Sequence, residues 1–285
     1  VSCRPEIAIV SWFGRFVFSG LGYDSRSNRL ALGAYPNVNT TIERRLPLQG
    51  SCNFRDIGGY PGQDGRTVRW NRLYRSDALH MVTPADLELL SPLGVATLID
   101  LRSAREVERS GLSPLTTTHG ARHHHLPFAP RAADPGDFAK YPPLGELYVT
   151  MIEQGAETIR AVFAALAEPA TYPAVVHCAV GKDRTGITIA LLLRTLGVDD
   201  ATIVADYALT DGFLAEGIER WKAAGGGAEL ASLPEFVLRA HAETMRGFLD
   251  VIDTRFGGST QLLTDAGVLP GTATAIRELL LESAG

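Results

Sequence analysis

Within ten consecutive residues, His177-Cys178-Ala179-Val180-Gly181-Lys182-Asp183-Arg184-Thr185-Gly186, the chain carries a thiol, a guanidinium six positions after it and then a hydroxyl. A thiolate is a good nucleophile toward phosphorus, and attack through it leaves a covalent phosphocysteine. The planar fork of Arg184 can hold two equatorial phosphate oxygens while charge redistributes. Thr185 is placed to donate a hydrogen bond to the sulfur as it leaves in a second step. These residue types point to Cys178 as nucleophile and Arg184 as phosphate clamp. The plain alternative is a buried cysteine beside a solvated Lys-Asp-Arg trio, and the flanking pattern argues against it.

Ala174-Val175-Val176-His177 reads as a β-branched strand, and Ile187 to Leu196 as a buried helix stopped at Gly197. A strand that ends at His177 delivers Cys178 into a tight loop, with a helix beginning near Arg184 or Thr185. The backbone of Ala179, Val180, Gly181, Lys182, Thr185 and Gly186 then surrounds a point at which a helix N-terminus is aimed. Both features favour a bound anion. The helix dipole and the Arg184 charge favour the thiolate form of Cys178. Gly181 lets the backbone approach closely. His177, at a strand end, reads as a core histidine with a structural part.

Around this segment, strands and helices alternate. Leu73-Tyr74-Arg75, Val95 to Ile99 and Arg122 to Phe128 read as strands, the last followed by a Pro/Asp/Gly loop ending near Pro143. Thr83 caps a helix opened by Pro84, and two further helices cover roughly 144–154 and 156–167. The class is α/β, with a central sheet flanked by helices. After Asp199 the chain reads as wholly helical. Asp200 caps a helix running past Trp221, Gly225-Gly226-Gly227 breaks it, and a second helix runs from about Pro234 to Phe256. His241, Met245, Phe248 and Ile252 form a stripe read as core. The short runs Ile7-Ala8-Ile9-Val10, Phe16-Val17-Phe18 and Leu30-Ala31-Leu32 give residues 1–45 the look of a small β extension on a main domain of 46–285.

The bulk composition of the 285 residues, 45% hydrophobic and 21% charged, is that of a globular chain with a sizeable core. A net charge of -5 opposes a nucleic-acid partner. Cys3, Cys52 and Cys178 are too few and too scattered for a disulfide framework or a zinc site, so reduced thiols are expected. Cys52 in particular reads as a buried free thiol. His123, His124 and His125 point to alternating faces of a strand and cannot together hold one ion. Neither a metal nor a cofactor is expected. No apolar run of about 18 residues exists, so no integral membrane association is expected. Val1-Ser2-Cys3-Arg4-Pro5 has no signal-peptide pattern, which points to the cytoplasm; the chain begins without Met, so secretion stays open.

The ten-residue segment resembles the signature loop of the bacterial atypical tyrosine/phosphoinositide phosphatases, which carry Lys-Asp-Arg inside the loop. Four further blocks resemble the same family: Asn53-Phe54-Arg55-Asp56-Ile57-Gly58-Gly59-Tyr60, Leu73-Tyr74-Arg75-Ser76-Asp77-Ala78-Leu79, Leu98-Ile99-Asp100-Leu101-Arg102-Ser103 and Val204-Ala205-Asp206-Tyr207-Ala208-Leu209. The resemblance runs from about Leu46 to the C-terminus and implies a tyrosine-phosphatase-like sheet. It implies a phosphomonoester hydrolase acting on phosphotyrosine protein, phosphoinositide or a small phosphorylated metabolite.

Breaking a P–O bond needs an acid for the leaving oxygen. On spacing, Asp134 and Asp137 are open candidates; the resemblance points to Asp183. It also implies that Lys182 attracts a second phosphate and that helices within 199–256 form a lid. Arg55 and Asp56 either meet substrate or loop, or only brace the fold. A rhodanese-type sulfurtransferase and a phosphate-binding pseudophosphatase are the competing functions.

Overall fold

The computed structural model describes residues 44–128, 144–223 and 239–283. The β-type runs expected before residue 44, the loop with Asp134 and Asp137, and the glycine break at 225–227 lie outside the described residues.

Strand β1 is Arg55–Asp56, β2 Arg66–Val68, β3 Leu73–Ser76, β4 Thr97–Asp100, β5 Arg122–His125, β6 Ala174–His177 and β7 Leu281–Ser283. The main sheet has the order β1-β3-β6-β4-β5. β6 runs parallel between β3 and β4, β5 continues the parallel set, and β1 joins the edge antiparallel. His177 is in register with both Ser76 and Asp100, so three strands end flush where β6 releases the chain toward Cys178. Ligands of open parallel sheets bind beyond such carboxyl ends.

The side-chain alternation of the strands explains their two packed faces. Leu73, Ile99, Ala174 and Val176 join one apolar cluster, while Tyr74, Leu98 and Val175 join the other. With both faces covered, the central strands must be apolar throughout, which is what 174–176 supply.

The first face is covered by α4 (Leu144–Gln154), α5 (Ala156–Leu166), α6 (Asp183–Thr195) and, behind them, α7 (Asp200–Ala223) and α8 (Ala242–Phe256). The other face carries α1 (Pro84–Leu90) and α3 (Leu115–Thr118), with α2 (Ala104–Ser110) between β4 and α3 in sequence. Two short helices, α9 (Ser259–Asp265) and α10 (Pro270–Leu280), lead to β7. Among the described residues, no helix is long and apolar enough to cross a membrane.

Local signals place several boundaries. Thr83 and Asp86 form a reciprocal capping box at α1, and Gly197 takes φ +77 just past α6. Five expectations are corrected. The strand expected over Val95 to Ile99 is Thr97–Asp100, and the one expected to reach Phe128 ends at His125. Asp199, not Asp200, caps α7, accepting from the Thr202 N–H at 2.9 Å. His241 precedes α8 and is exposed, while Met245, Phe248 and Ile252 are core. Finally, the tail is not wholly helical: β7 pairs antiparallel with β2, an edge contact that a three-residue segment cannot announce.

Candidate active site

The segment from Cys178 to Lys182 is a loop whose shape is dictated by one glycine and by bonds from beneath. Gly181 has φ +73, and a Cβ there would stand 2.5 Å from the Ser76 carbonyl oxygen and 2.7 Å from Asn53 Nδ2. No L side chain fits that backbone or that gap. Asn53, fully buried, donates from Nδ2 to the carbonyls of Val180 and Gly181, each at 3.1 Å. Arg75 Nη2 donates to the Gly181 carbonyl at 2.9 Å, and the Ala179 carbonyl accepts from the Ala78 N–H at 3.1 Å. In a trans peptide the N–H points opposite its carbonyl. Tying these carbonyls outward therefore turns the following N–H groups inward, and the Gly181 N–H donates to Cys178 Sγ at 3.2 Å.

Helix α6 starts at Asp183, one residue ahead of the expected range, so the unpaired N–H groups of its first turn open into the same loop. Cys178 is buried, and Ala179 and Val180 are half-exposed at the rim. The Thr185 hydroxyl is buried and has no hydrogen-bond partner among the described residues.

Arg184 is held rigidly. Its Nη1 and Nη2 reach Glu106 Oε2 and Oε1 at 2.7 and 2.8 Å, a two-pronged pair. Glu106 is itself set by α2, where it closes a capping box with Ser103. Burial opposes charge on both partners. The Arg184 hydrogen bonds nevertheless hold Glu106 below its ordinary range, and Cys178 and Glu106 hold Arg184 above its own.

Asp183, one-third exposed, accepts from the Tyr148 hydroxyl at 2.6 Å through Oδ1. Lys182 lies inside the protein, only 2% exposed, with Nζ 3.4 Å from the same Asp183 oxygen. The side chain thus lies beneath the loop surface and not at its exposed rim.

Three other residues named from the sequence have defined surroundings. Gly186 lies where α6 meets α7. Its N–H already donates to the Lys182 carbonyl at 2.9 Å, and an added Cβ would meet the Tyr207 ring at 3.0 Å, so it serves the close contact of α6 with α7. Arg55 is fully buried, donating to Asp206 Oδ1 at 3.1 Å, to the Asp206 carbonyl at 2.8 Å, to Thr210 Oγ1 at 3.0 Å and to Asn53 Oδ1. Asp56 accepts the N–H groups of Gly58 and Asn71, both at 2.7 Å. Bracing the fold is the reading these two residues fit.

Beneath the loop sits a buried triad. Asp206 receives Arg55 Nε, Arg75 Nη1 at 2.5 Å and the Tyr60 hydroxyl at 3.1 Å. Burial alone would neutralise this carboxyl, but the two guanidiniums hold it well below the usual carboxylate range. His177 is buried, and its burial pushes the imidazole down; Nδ1 lies 3.3 Å from the Cys178 carbonyl and 3.9 Å from Asp100. The nearby Asp100 is gripped by Arg102, with His123 Nε2 at 3.0 Å. His123 and His125 stack on one face, as strand alternation requires. Among the described residues, no group of three or more His, Cys, Asp or Glu could hold a metal ion. Cys52 and Cys178 are both buried and neither is in a disulfide.

The sequence reading assigned no role to Asn53, Arg75, Glu106, Tyr148 or Asp206. Only Ser103 and Glu106 carried a usable signal, the capping-box spacing, and that signal speaks of a helix end and not of Arg184.

A family model described as the tyrosine phosphatase family matches residues 46–282. Among curated proteins, the triple specificity protein phosphatase PtpB of Mycobacterium tuberculosis is 29% identical over 84% of this chain and 99% of its own length. A tyrosine-protein phosphatase of Nostoc commune is 30% identical over 87% of this chain and 90% of its own. A putative tyrosine-protein phosphatase of Cupriavidus necator is 33% identical over 57% and 61%. These matches favour phosphate-ester hydrolysis over sulfur transfer as the use of a cysteine loop after a strand. The chain is a phosphatase and belongs to the tyrosine phosphatase family.

Proposed function

We propose that the chain hydrolyses phosphomonoesters through a phosphocysteine on Cys178. The observation that carries the reading is the pairing of a sulfur already receiving a loop N–H with a guanidinium latched by Glu106. Cys178 Sγ attacks phosphorus, the P–S bond forms and the bond to the leaving oxygen breaks. The loop N–H groups and Arg184 take up the charge on the equatorial oxygens, the work that a metal does in other phosphoryl-transfer sites. Asp183 gives its proton to the leaving oxygen. In the second step the Asp183 carboxylate takes a proton from water as the water oxygen attacks phosphorus and the P–S bond breaks. The Thr185 hydroxyl, buried without a partner, supplies a donor for the departing sulfur.

The substrate is a phosphotyrosine protein, a phosphoinositide or a small phosphorylated metabolite. The triple specificity named for the mycobacterial relative makes a broad range the expectation. Phosphopeptides, phosphoinositides and small phosphate esters assayed side by side, with Cys178→Ser as control, test the reading. Turnover by wild type that disappears in Cys178→Ser is expected; turnover that survives the substitution refutes it.

A further inference from the structure

We infer that two buried phenols, Tyr207 and Tyr148, form a hydroxyl relay that selects which oxygen of Asp183 carries the catalytic proton. The inference rests on the reading of Asp183 as the general acid. Tyr148 has one hydroxyl proton, and its oxygen lies 2.6 Å from Asp183 Oδ1 and 2.7 Å from the Tyr207 hydroxyl. With that proton donated to Asp183, the Tyr207 hydroxyl must donate to Tyr148. The direction is therefore Tyr207 to Tyr148 to Asp183.

Both phenols are buried, and burial together with the nearby Asp183 charge pushes both well above the ordinary phenol value, so they stay protonated donors. The Lys182 ammonium approaches the same oxygen at 3.4 Å. An oxygen that accepts from a phenol and faces an ammonium is a poor seat for a proton. The proton of a neutral Asp183 is thereby placed on Oδ2, and the carboxylate left after its transfer is stabilised on Oδ1.

The relay is rigid because each ring is packed. Tyr148 meets the Tyr207 ring edge-on at 6.5 Å and Phe248 at 5.7 Å, and Tyr207 lies against Gly186 of α6. Tyr207 also follows Asp206, the centre of the triad beneath the loop. One turn of α7 thus holds the phosphate loop through Arg75 and the acid through Tyr148. Both tyrosines are positioning residues, since they act through Asp183.

The test compares Tyr148→Phe, Tyr207→Phe and Asp183→Asn on an aryl phosphate with a good leaving group and an alkyl phosphate with a poor one. Loss of one hydrogen bond to a charged group predicts a fall of roughly 10-fold in kcat/KM on the poor leaving group for Tyr148→Phe, and under about 2-fold on the good one. Tyr207→Phe should show the same leaving-group bias with a smaller loss. In an Asp183→Asn background, Tyr148→Phe should add almost nothing. Equal losses on both substrates, or an undiminished effect in the Asp183→Asn background, would overturn the relay while leaving the acid in place. Absence of any leaving-group bias in Asp183→Asn itself would overturn the acid assignment and the relay with it.

Discussion

Replacing Asp206 by Asn removes one negative charge from a pocket that keeps two positive ones. The three side chains are at most 1% exposed, so solvent cannot compensate. Burial and the neighbouring Arg75 already pull Arg55 down to about 10, with Asp206 opposing the fall. The Asn amide retains one acceptor and turns an NH2 toward a guanidinium. Breaking a buried ion pair from one side costs about 3–5 kcal/mol. That is a large share of a domain's total stability of roughly 5–15 kcal/mol. At about 2–4 °C per kcal/mol, a drop in Tm of about 10 °C is expected.

The pH dependence follows from the same carboxyl. Its folded-state pKa is depressed, so its contribution is fully present above the unfolded value of about 3.9 and is lost as pH falls further. The difference in stability between wild type and Asp206→Asn should therefore be constant from neutral pH down to about pH 5 and narrow below pH 4. Thermal melts and denaturant titrations across that range measure it. A variant within about 2 °C of wild type at neutral pH, or a gap that does not narrow in acid, would refute the reasoning.

Glu106→Gln keeps the size of the side chain and breaks the two-pronged hold on Arg184; kcat/KM on an aryl phosphate should fall about 10- to 100-fold, with a drop in Tm smaller than that of Asp206→Asn because this pair is less deeply buried. Steady-state kinetics alongside a melt check this. Gly181→Ala forces a methyl against the Ser76 carbonyl in a left-handed backbone, and should weaken binding of an oxyanion such as vanadate by at least about 10-fold. Inhibition constants for vanadate provide the readout.

The part of the site that could be read in advance is the part whose determinants lie next to one another in the chain. β6, the loop and α6 follow from a β-branched run, a glycine and an apolar helix within about twenty residues, and the fold class follows from their alternation. The remainder depends on partners far apart in sequence. Glu106 reaches Arg184 across 78 positions, and Asp206 reaches Arg55 across 151. A surface-type capping residue and a mid-helix aspartate look ordinary until the sheet brings the guanidiniums to them. The burial of Lys182 is illegible for the converse reason: nothing in its neighbours shows that its stem turns inward toward Asp183. β7 was missed because pairing with β2 is a property of the edge it meets, not of Leu281-Glu282-Ser283.

Under the proposed mechanism, phosphorus passes through Cys178. Acid quench of the enzyme during turnover of 4-nitrophenyl phosphate, followed by digestion and mass spectrometry, observes it directly. One phosphoryl group is expected on the peptide containing Cys178, formed with a burst of nitrophenol and absent from Cys178→Ser. A phosphoryl group on another residue, or turnover that persists in Cys178→Ser with no adduct, would contradict it.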